Sequence, residues 1–192
     1  LTLEGVWQAG RERGAVVAPP HPAYGGSLDH PVCNEIAYGL WRSGWASLRF
    51  NWRGVGASQG KISAELAAAE ADYRAAVESL ALSFDSPRLA AGYSFGAATA
   101  LRVALDERRI GPLVLVAPPL ALLEGLALAK LRGPVRVIVG SRDEHAPADQ
   151  LAALLEPLPH AQLDVIPLVD HFFSGSGLAE LCELVRQAGQ HC

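Results

Sequence analysis

A serine framed by glycines, Gly92-Tyr93-Ser94-Phe95-Gly96, is the pattern in this chain with the most direct chemical reading. Before it runs Pro87-Arg88-Leu89-Ala90-Ala91, with the look of a short buried strand. After it comes the helix former Ala97-Ala98-Thr99-Ala100-Leu101-Arg102-Val103-Ala104-Leu105. Strand, G-x-S-x-G and helix together describe a nucleophile elbow, a tight turn that lifts a serine hydroxyl clear of the backbone. The glycines are required because a Cβ at either place would collide with the neighbouring strand or helix. The helix that follows aims its positive end and its free N–H groups at a reacting oxygen.

A serine hydroxyl is a weak nucleophile near neutral pH and needs a base beside it. Of six histidines, His171 is the best placed, in Leu168-Val169-Asp170-His171-Phe172-Phe173, after the last predicted strand and before the last helix. The base in turn needs an acid to fix its tautomer and stabilise the imidazolium. Asp143 follows the predicted strand Val135–Gly140 and falls between Ser94 and His171 in chain order. Glu144 and Asp170 are its rivals, although a residue adjacent to His171 usually projects away from it. Acyl transfer also demands two donors for the developing oxyanion. The amide of Phe95 supplies one. The other is expected from the loop Pro19-Pro20-His21-Pro22-Ala23-Tyr24-Gly25-Gly26-Ser27, from Ala23 or Tyr24, because Pro20 and Pro22 have no N–H.

These residues need a scaffold, and the chain alternates strand-like and helical runs throughout. Strands are expected at Leu1–Trp7, Ala15–Ala18, Trp45–Phe50, around Leu89, at Leu113–Ala117, Val135–Val139 and Ala161–Ile166. Helices are expected at Pro31–Ser43, Glu65–Leu82, after the elbow, at Ala148–Leu155 and at Leu178–Ala188. In the second of these, Leu66, Ala69, Tyr73, Ala76, Val77 and Leu80 form one stripe. Such alternation predicts a mostly parallel central sheet with helices on both faces, in one domain over residues 1–192. Ligands bind such sheets at the carboxyl ends of the strands, where every candidate above lies.

Composition narrows the function. Half of the 192 residues are hydrophobic and 19% are charged, which describes a globular chain. A formal net charge of −4 leaves no footprint for nucleic acid or an anionic membrane. No apolar stretch is long enough to span a bilayer, and Leu1–Trp7 does not read as a secretory leader. Three scattered cysteines, Cys33, Cys182 and Cys192, imply no disulfide framework and fit the cytoplasm. The spacing of His21, His30 and Cys33 matches no zinc pattern, and no phosphate-binding glycine motif appears, so neither metal nor nucleotide cofactor is expected.

Read together, His21-Pro22-Ala23-Tyr24-Gly25-Gly26, Leu48-Arg49-Phe50-Asn51-Trp52-Arg53-Gly54-Val55-Gly56-Ala57-Ser58, Ala91–Ala97, Asp143-Glu144 with Pro147 and Gln150, and Asp170–Phe173 resemble the α/β-hydrolase superfamily. Within it the chain is similar to the small bacterial hydrolases related to dienelactone hydrolase. Relatives often carry His-Pro-His-Pro in the first loop, where this chain has Pro19 in place of the first histidine. A dienelactone hydrolase uses a cysteine nucleophile, and none stands at that place here. The resemblance implies the α/β-hydrolase fold and the order Ser94, Asp143, His171 for a catalytic triad. The expected activity is that of a serine carboxylesterase on a small-molecule ester. A thioesterase or small-peptide hydrolase could use the same residues, and a non-catalytic relative would bind a ligand in the same cleft. Asn51–Ser58 reads as structural support, with Gly54 and Gly56 in unusual backbone angles. Larger members insert a lid between Ala117 and Val135. Here Pro119–Leu131 is too short for a lid domain, so the site is expected to be open, with Phe172 and Leu120 as an apolar wall and a preference for short acyl chains.

Overall fold

Ala15–Ala18, Leu89–Ala91, Leu113–Ala117 and Val137–Val139 are each no more than 1% exposed. Runs this apolar are stable only where both faces of a sheet are covered. The computed structural model describes residues 1–11, 13–85 and 88–192; Pro87, at the start of the predicted elbow strand, lies outside them. Seven strands make one sheet: β1 (Gly5–Gln8), β2 (Arg13–Ala18), β3 (Trp45–Phe50), β4 (Arg88–Tyr93), β5 (Ile110–Val116), β6 (Val135–Gly140) and β7 (Ala161–Ile166). Their spatial order is β1-β3-β2-β4-β5-β6-β7, parallel except for β1, which runs antiparallel along β3.

Among the described residues the α-helices are α1 (Pro31–Arg42), α2 (Leu66–Ala81), α3 (Phe95–Ala104), α4 (Ala148–Leu155) and α5 (Gly177–His191). Helices α1 and α5 pack on one another, as do α2 and α3, and both pairs lie against the sheet. The stripe predicted on α2 is buried at Ala69, Tyr73, Ala76, Val77 and Leu80, and Asp72 is buried among them. Each large aliphatic side chain buried in this way contributes about 1.5–3 kcal/mol.

The start of the chain differs from the sequence reading, and the leucine-rich segment packs as core. The first strand begins at Gly5 rather than Leu1. Residues before it bond instead to the turn after β3, with Asn51 N–H donating to Glu4 O and Gln59 N–H to Thr2 O, both at 2.9 Å. The leucine-rich segment forms 3-10 turns at Leu120–Leu122 and Leu128–Lys130 and sinks Leu123, Leu128 and Leu131 into the core. Gly54 and Gly56 do take positive φ, 73° and 56°.

The topology fixes where a site can form. The chain order reverses across the sheet between β2 and β4, and a crevice opens at such a switch point. Ala18 pairs with Gly92, so the loop after β2 and the turn after β4 leave the sheet side by side.

Candidate active site

Ser94 sits between β4 and α3 with φ 54° and ψ −120°. A serine held there is strained by about 1–3 kcal/mol, and surrounding structure must enforce it. Its N–H donates to Val116 O at 2.8 Å. A Cβ on Gly92 would come within 2.5 Å of Gly96 C and O, and one on Gly96 within 2.4 Å of Pro19 O. Both glycines are therefore demanded by backbone contact. All four non-glycine residues with positive φ among the described residues, Ser94, Ala117, Leu168 and Phe173, follow β4, β5 or β7 at this same end of the sheet.

His171 reaches Ser94 from the loop after β7. Its Nε2 lies 3.0 Å from Ser94 Oγ, and its Nδ1 lies 2.9 and 2.8 Å from Asp143 Oδ1 and Oδ2. The ring donates to Asp143 through Nδ1–H, which leaves Nε2 to accept from the serine hydroxyl. Asp143 comes from the turn after β6 and is 4% exposed. Its Oδ1 also accepts the N–H groups of His145 and Ala146, each at 2.9 Å, so the carboxylate is held from two sides.

The two rival acids lie elsewhere. Glu144 is exposed. Asp170 turns into its own loop, where it accepts the N–H groups of Phe172 and Ser174 at 3.1 Å and the Ser174 hydroxyl at 3.0 Å. Those bonds, the Ser174 amide first, hold its carboxyl below the usual range. The Tyr93 hydroxyl donates to His171 O at 3.0 Å and steadies the loop from below. Burial, with Asp143 nearby, raises the Tyr93 phenol well above its ordinary value, so it remains a donor.

The Phe95 N–H is a first-turn amide of α3, with no helical carbonyl to bond. The expected second donors are corrected by the structure. Residues Pro22–Tyr24 close a 3-10 turn in which Ala23 N–H donates to His21 Nδ1 at 3.2 Å and Tyr24 N–H to His21 O at 3.1 Å. Both amides are committed to the turn. The loop is fixed from beneath by the buried Trp52, whose Nε1–H donates to Pro20 O at 2.9 Å. Trp52 belongs to the segment that the sequence marked as support.

A cavity of about 450 Å³ opens over Ser94. Its wall includes His21, His30, Tyr93, Phe95, Leu122, His145 and Phe172. Phe172 is where the sequence placed it. Leu120 is not in the wall: its N–H is tied to His145 O at 2.9 Å, and the 3-10 turn presents Leu122 instead. Sequence reasoning missed His30 and His145 as cavity residues. Cys33 is buried with its thiol pushed up to about 12, so it is no nucleophile at neutral pH. Among the described residues no three His, Cys, Asp or Glu side chains gather as metal ligands, and no helix is long and apolar enough to cross a membrane.

Comparison with known proteins speaks to the family and the fold. Residues 29–127 match the family described as serine aminopeptidase, S33. The chain belongs to this family of α/β-hydrolases. An uncharacterized protein of Rickettsia prowazekii is 30% identical over 170 residues, covering 83% of this chain and 71% of the relative. Among solved structures, an α/β serine hydrolase homologue from Coxiella burnetii superposes with a TM-score of 0.86 at 28% identity, over 96% of this chain and 90% of the other. A lidless α/β serine hydrolase from Xanthomonas campestris gives 0.83 at 27% identity, over 97% and 87%. This α/β-hydrolase is lidless in the same sense, because the segment between β5 and β6 packs into its core.

Proposed function

We propose that this α/β-hydrolase is a serine carboxylesterase acting on short-chain acyl esters. The observation that carries the proposal is the unbroken hydrogen-bonded series Ser94 Oγ, His171 Nε2, His171 Nδ1, Asp143, with links of 3.0 Å and 2.8–2.9 Å. Ser94 attacks the ester carbonyl while His171 Nε2 takes its proton. Asp143 stabilises the imidazolium that forms. The tetrahedral oxyanion is held by the Phe95 N–H and by the N–H of His21. The latter is the only amide from Pro20 to Tyr24 with no hydrogen-bond partner among the described residues. His171 then gives the proton to the departing alkoxide, and water repeats the sequence on the acyl-enzyme.

Ester is preferred to peptide on the chemistry of the wall. An aminopeptidase must hold a charged α-amino group, and among the described residues no carboxylate lines this cavity. Imidazoles and aromatic rings surround Ser94 instead. Each methylene buried contributes about 0.8 kcal/mol, so preference rises over the first carbons and stops where the shallow wall ends. Three free cysteines fit a cytoplasmic setting for a small-molecule substrate.

The test is fluorophosphonate labelling together with a panel of p-nitrophenyl esters, a thioester and an amino-acid anilide. We expect labelling that disappears in Ser94→Ala, and the highest kcat/KM at roughly two to six acyl carbons, with no jump above the micellar concentration. Labelling at another serine overturns the assignment of the nucleophile. Faster anilide or thioester cleavage moves the substrate class while keeping the triad.

A further inference from the structure

Two cavity histidines are locked into one tautomer by bonds that take no part in the proposed triad. His21 caps the 3-10 turn Pro22–Tyr24, its Nδ1 accepting the Ala23 N–H at 3.2 Å. His30 caps α1 in the same way, its Nδ1 accepting the Val32 N–H at 3.3 Å. A nitrogen that accepts a backbone N–H carries no proton, so in a neutral ring the proton is on Nε2. Both rings line the cavity over Ser94. Neither Nε2 has a protein partner among the described residues, and neither is among the buried, unpartnered side-chain atoms, which are Ser47 Oγ, Arg49 Nε, Arg88 Nε and His160 Nε2. They stay neutral for a physical reason. Burial lowers the affinity of both rings for a second proton, and the neighbouring His171 lowers that of His30 further. His145 also lines the cavity, with its ring 4.9 Å from that of His171, but no backbone bond fixes its tautomer.

We infer that His21 and His30 form a two-donor recognition site for a neutral oxygen on the substrate, so that the preferred acyl group carries an ether, hydroxyl or keto oxygen beside its carbonyl. In this inference the oxygen belongs to the acyl side, with His21 against the residue that follows the nucleophile. His21 packs edge-on against Phe95 at 4.8 Å, and His30 lies tilted against Tyr93 at 4.9 Å, the two residues flanking Ser94. The departing alcohol leaves toward His171, which must protonate it, and there Phe172 and His145 form the wall. A purely alkyl acyl chain would strip water from both N–H groups and return nothing.

This inference rests on the serine-hydrolase reading, and its test separates the two. p-Nitrophenyl methoxyacetate and p-nitrophenyl butyrate have nearly the same shape, with one oxygen exchanged for a methylene. Their kcat/KM ratio is compared with the ratio of their hydroxide-catalysed rates, which removes intrinsic reactivity. In the unaltered protein the enzymatic ratio should exceed the hydroxide ratio by roughly tenfold, the scale of one to two neutral hydrogen bonds. His21→Asn and His30→Asn keep an acceptor for the cap and delete the Nε2–H. Each should lose part of the excess, and the double variant should fall to the hydroxide ratio. Nitrogen-15 NMR of histidine-labelled protein should find Nε2-protonated neutral rings at both positions at pH 7. An enzymatic ratio equal to the hydroxide ratio, an excess that survives in the double variant, or an Nδ1-protonated ring at either position overturns the inference while Ser94 still labels with fluorophosphonate. Failure of that labelling overturns the hydrolase reading and this inference with it.

Discussion

Two carboxylates among the described residues are buried to nearly the same degree, Asp72 at 3% and Asp143 at 4% exposure, and they face different kinds of partner. Asp72, on α2, meets the Arg53 guanidinium, with contacts of 2.8 Å from Nη2 and 3.1 Å from Nε, and accepts the Arg53 N–H at 3.0 Å. Arg53 also donates to Ala68 O at 3.0 Å, and its bond to Asp72 raises its pKa further. No proton can move in that pair, because a guanidinium does not give one up in a protein. Asp143 meets a ring that can gain and lose a proton. Its own position is set by two backbone amides that do not change with pH. A buried acid against a permanent cation fixes architecture, in this case the turn whose Trp52 carries the loop after β2. A buried acid against an imidazole holds one end of a proton path.

The sharpest way to break this contrast is to neutralise each acid in turn. Asp143→Asn keeps an acceptor for His145 and Ala146 N–H but favours the wrong His171 tautomer. A loss of about 10³–10⁴ in kcat is expected, the scale of the known serine-protease case, with a stability change of about 1 kcal/mol. Asp72→Asn should do the reverse. It leaves Arg53 without its counter-charge, and because the Arg53 side chain is 28% exposed, water relieves part of the cost. A destabilisation of about 2–3 kcal/mol is expected, below the usual cost of breaking a fully buried pair. Activity should stay within a few-fold. Urea denaturation and initial rates on one ester decide both. Equal losses of activity in the two variants would abolish the distinction.

The same contrast explains what could be read from the sequence. The elbow was legible because the glycines and the flanking strand and helix all answer one steric problem. Asp143 was legible by chain order and by following a strand, a placement that Glu144 and Asp170 could not be denied until the turns they occupy were seen. Asp72 escaped notice because it sits inside an apolar stripe, where a charge reads as an exception to helical periodicity until Arg53 is brought to it from the turn after β3. The second oxyanion donor was misplaced for a local reason. A histidine is not an expected cap, so the 3-10 turn that consumes the Ala23 and Tyr24 amides left no sequence signal. Leu120 lost its place to Leu122 because its N–H is tied to His145 O at the start of a 3-10 turn. His30 drew notice in the sequence only through a spacing that matches no zinc pattern; as the cap of α1 its ring packs against Tyr93.

A smaller effect sharpens the comparison further, because a titratable partner should also make one end of the molecule acid-sensitive. The His30 ring binds its second proton less readily in the folded chain than in the unfolded one, owing to burial and to His171 beside it; Tyr93, its other contact, stays protonated and neutral. Between the lowered folded value and the ordinary histidine value near pH ~6.5 the unfolded chain therefore holds more protons, so stability must rise with pH across that window and fall on acidification. His21 acts with the same sign through burial alone. Carboxyls lowered by their partners, such as Glu107 and Glu183, both to about 2, act in the same direction but only below the ordinary carboxylate range. The expected curve of unfolding free energy against pH thus has two steps, a small one beginning near pH ~6.5 and a larger one below pH ~4.5. His30→Asn retains the helix cap and removes the titrating ring, so it should flatten the first step and leave the second in place. Urea midpoints from pH 7.5 to 4 measure both. A first step of unchanged size in His30→Asn and His21→Asn together would mean that some other group, not the cavity imidazoles, carries the acid sensitivity.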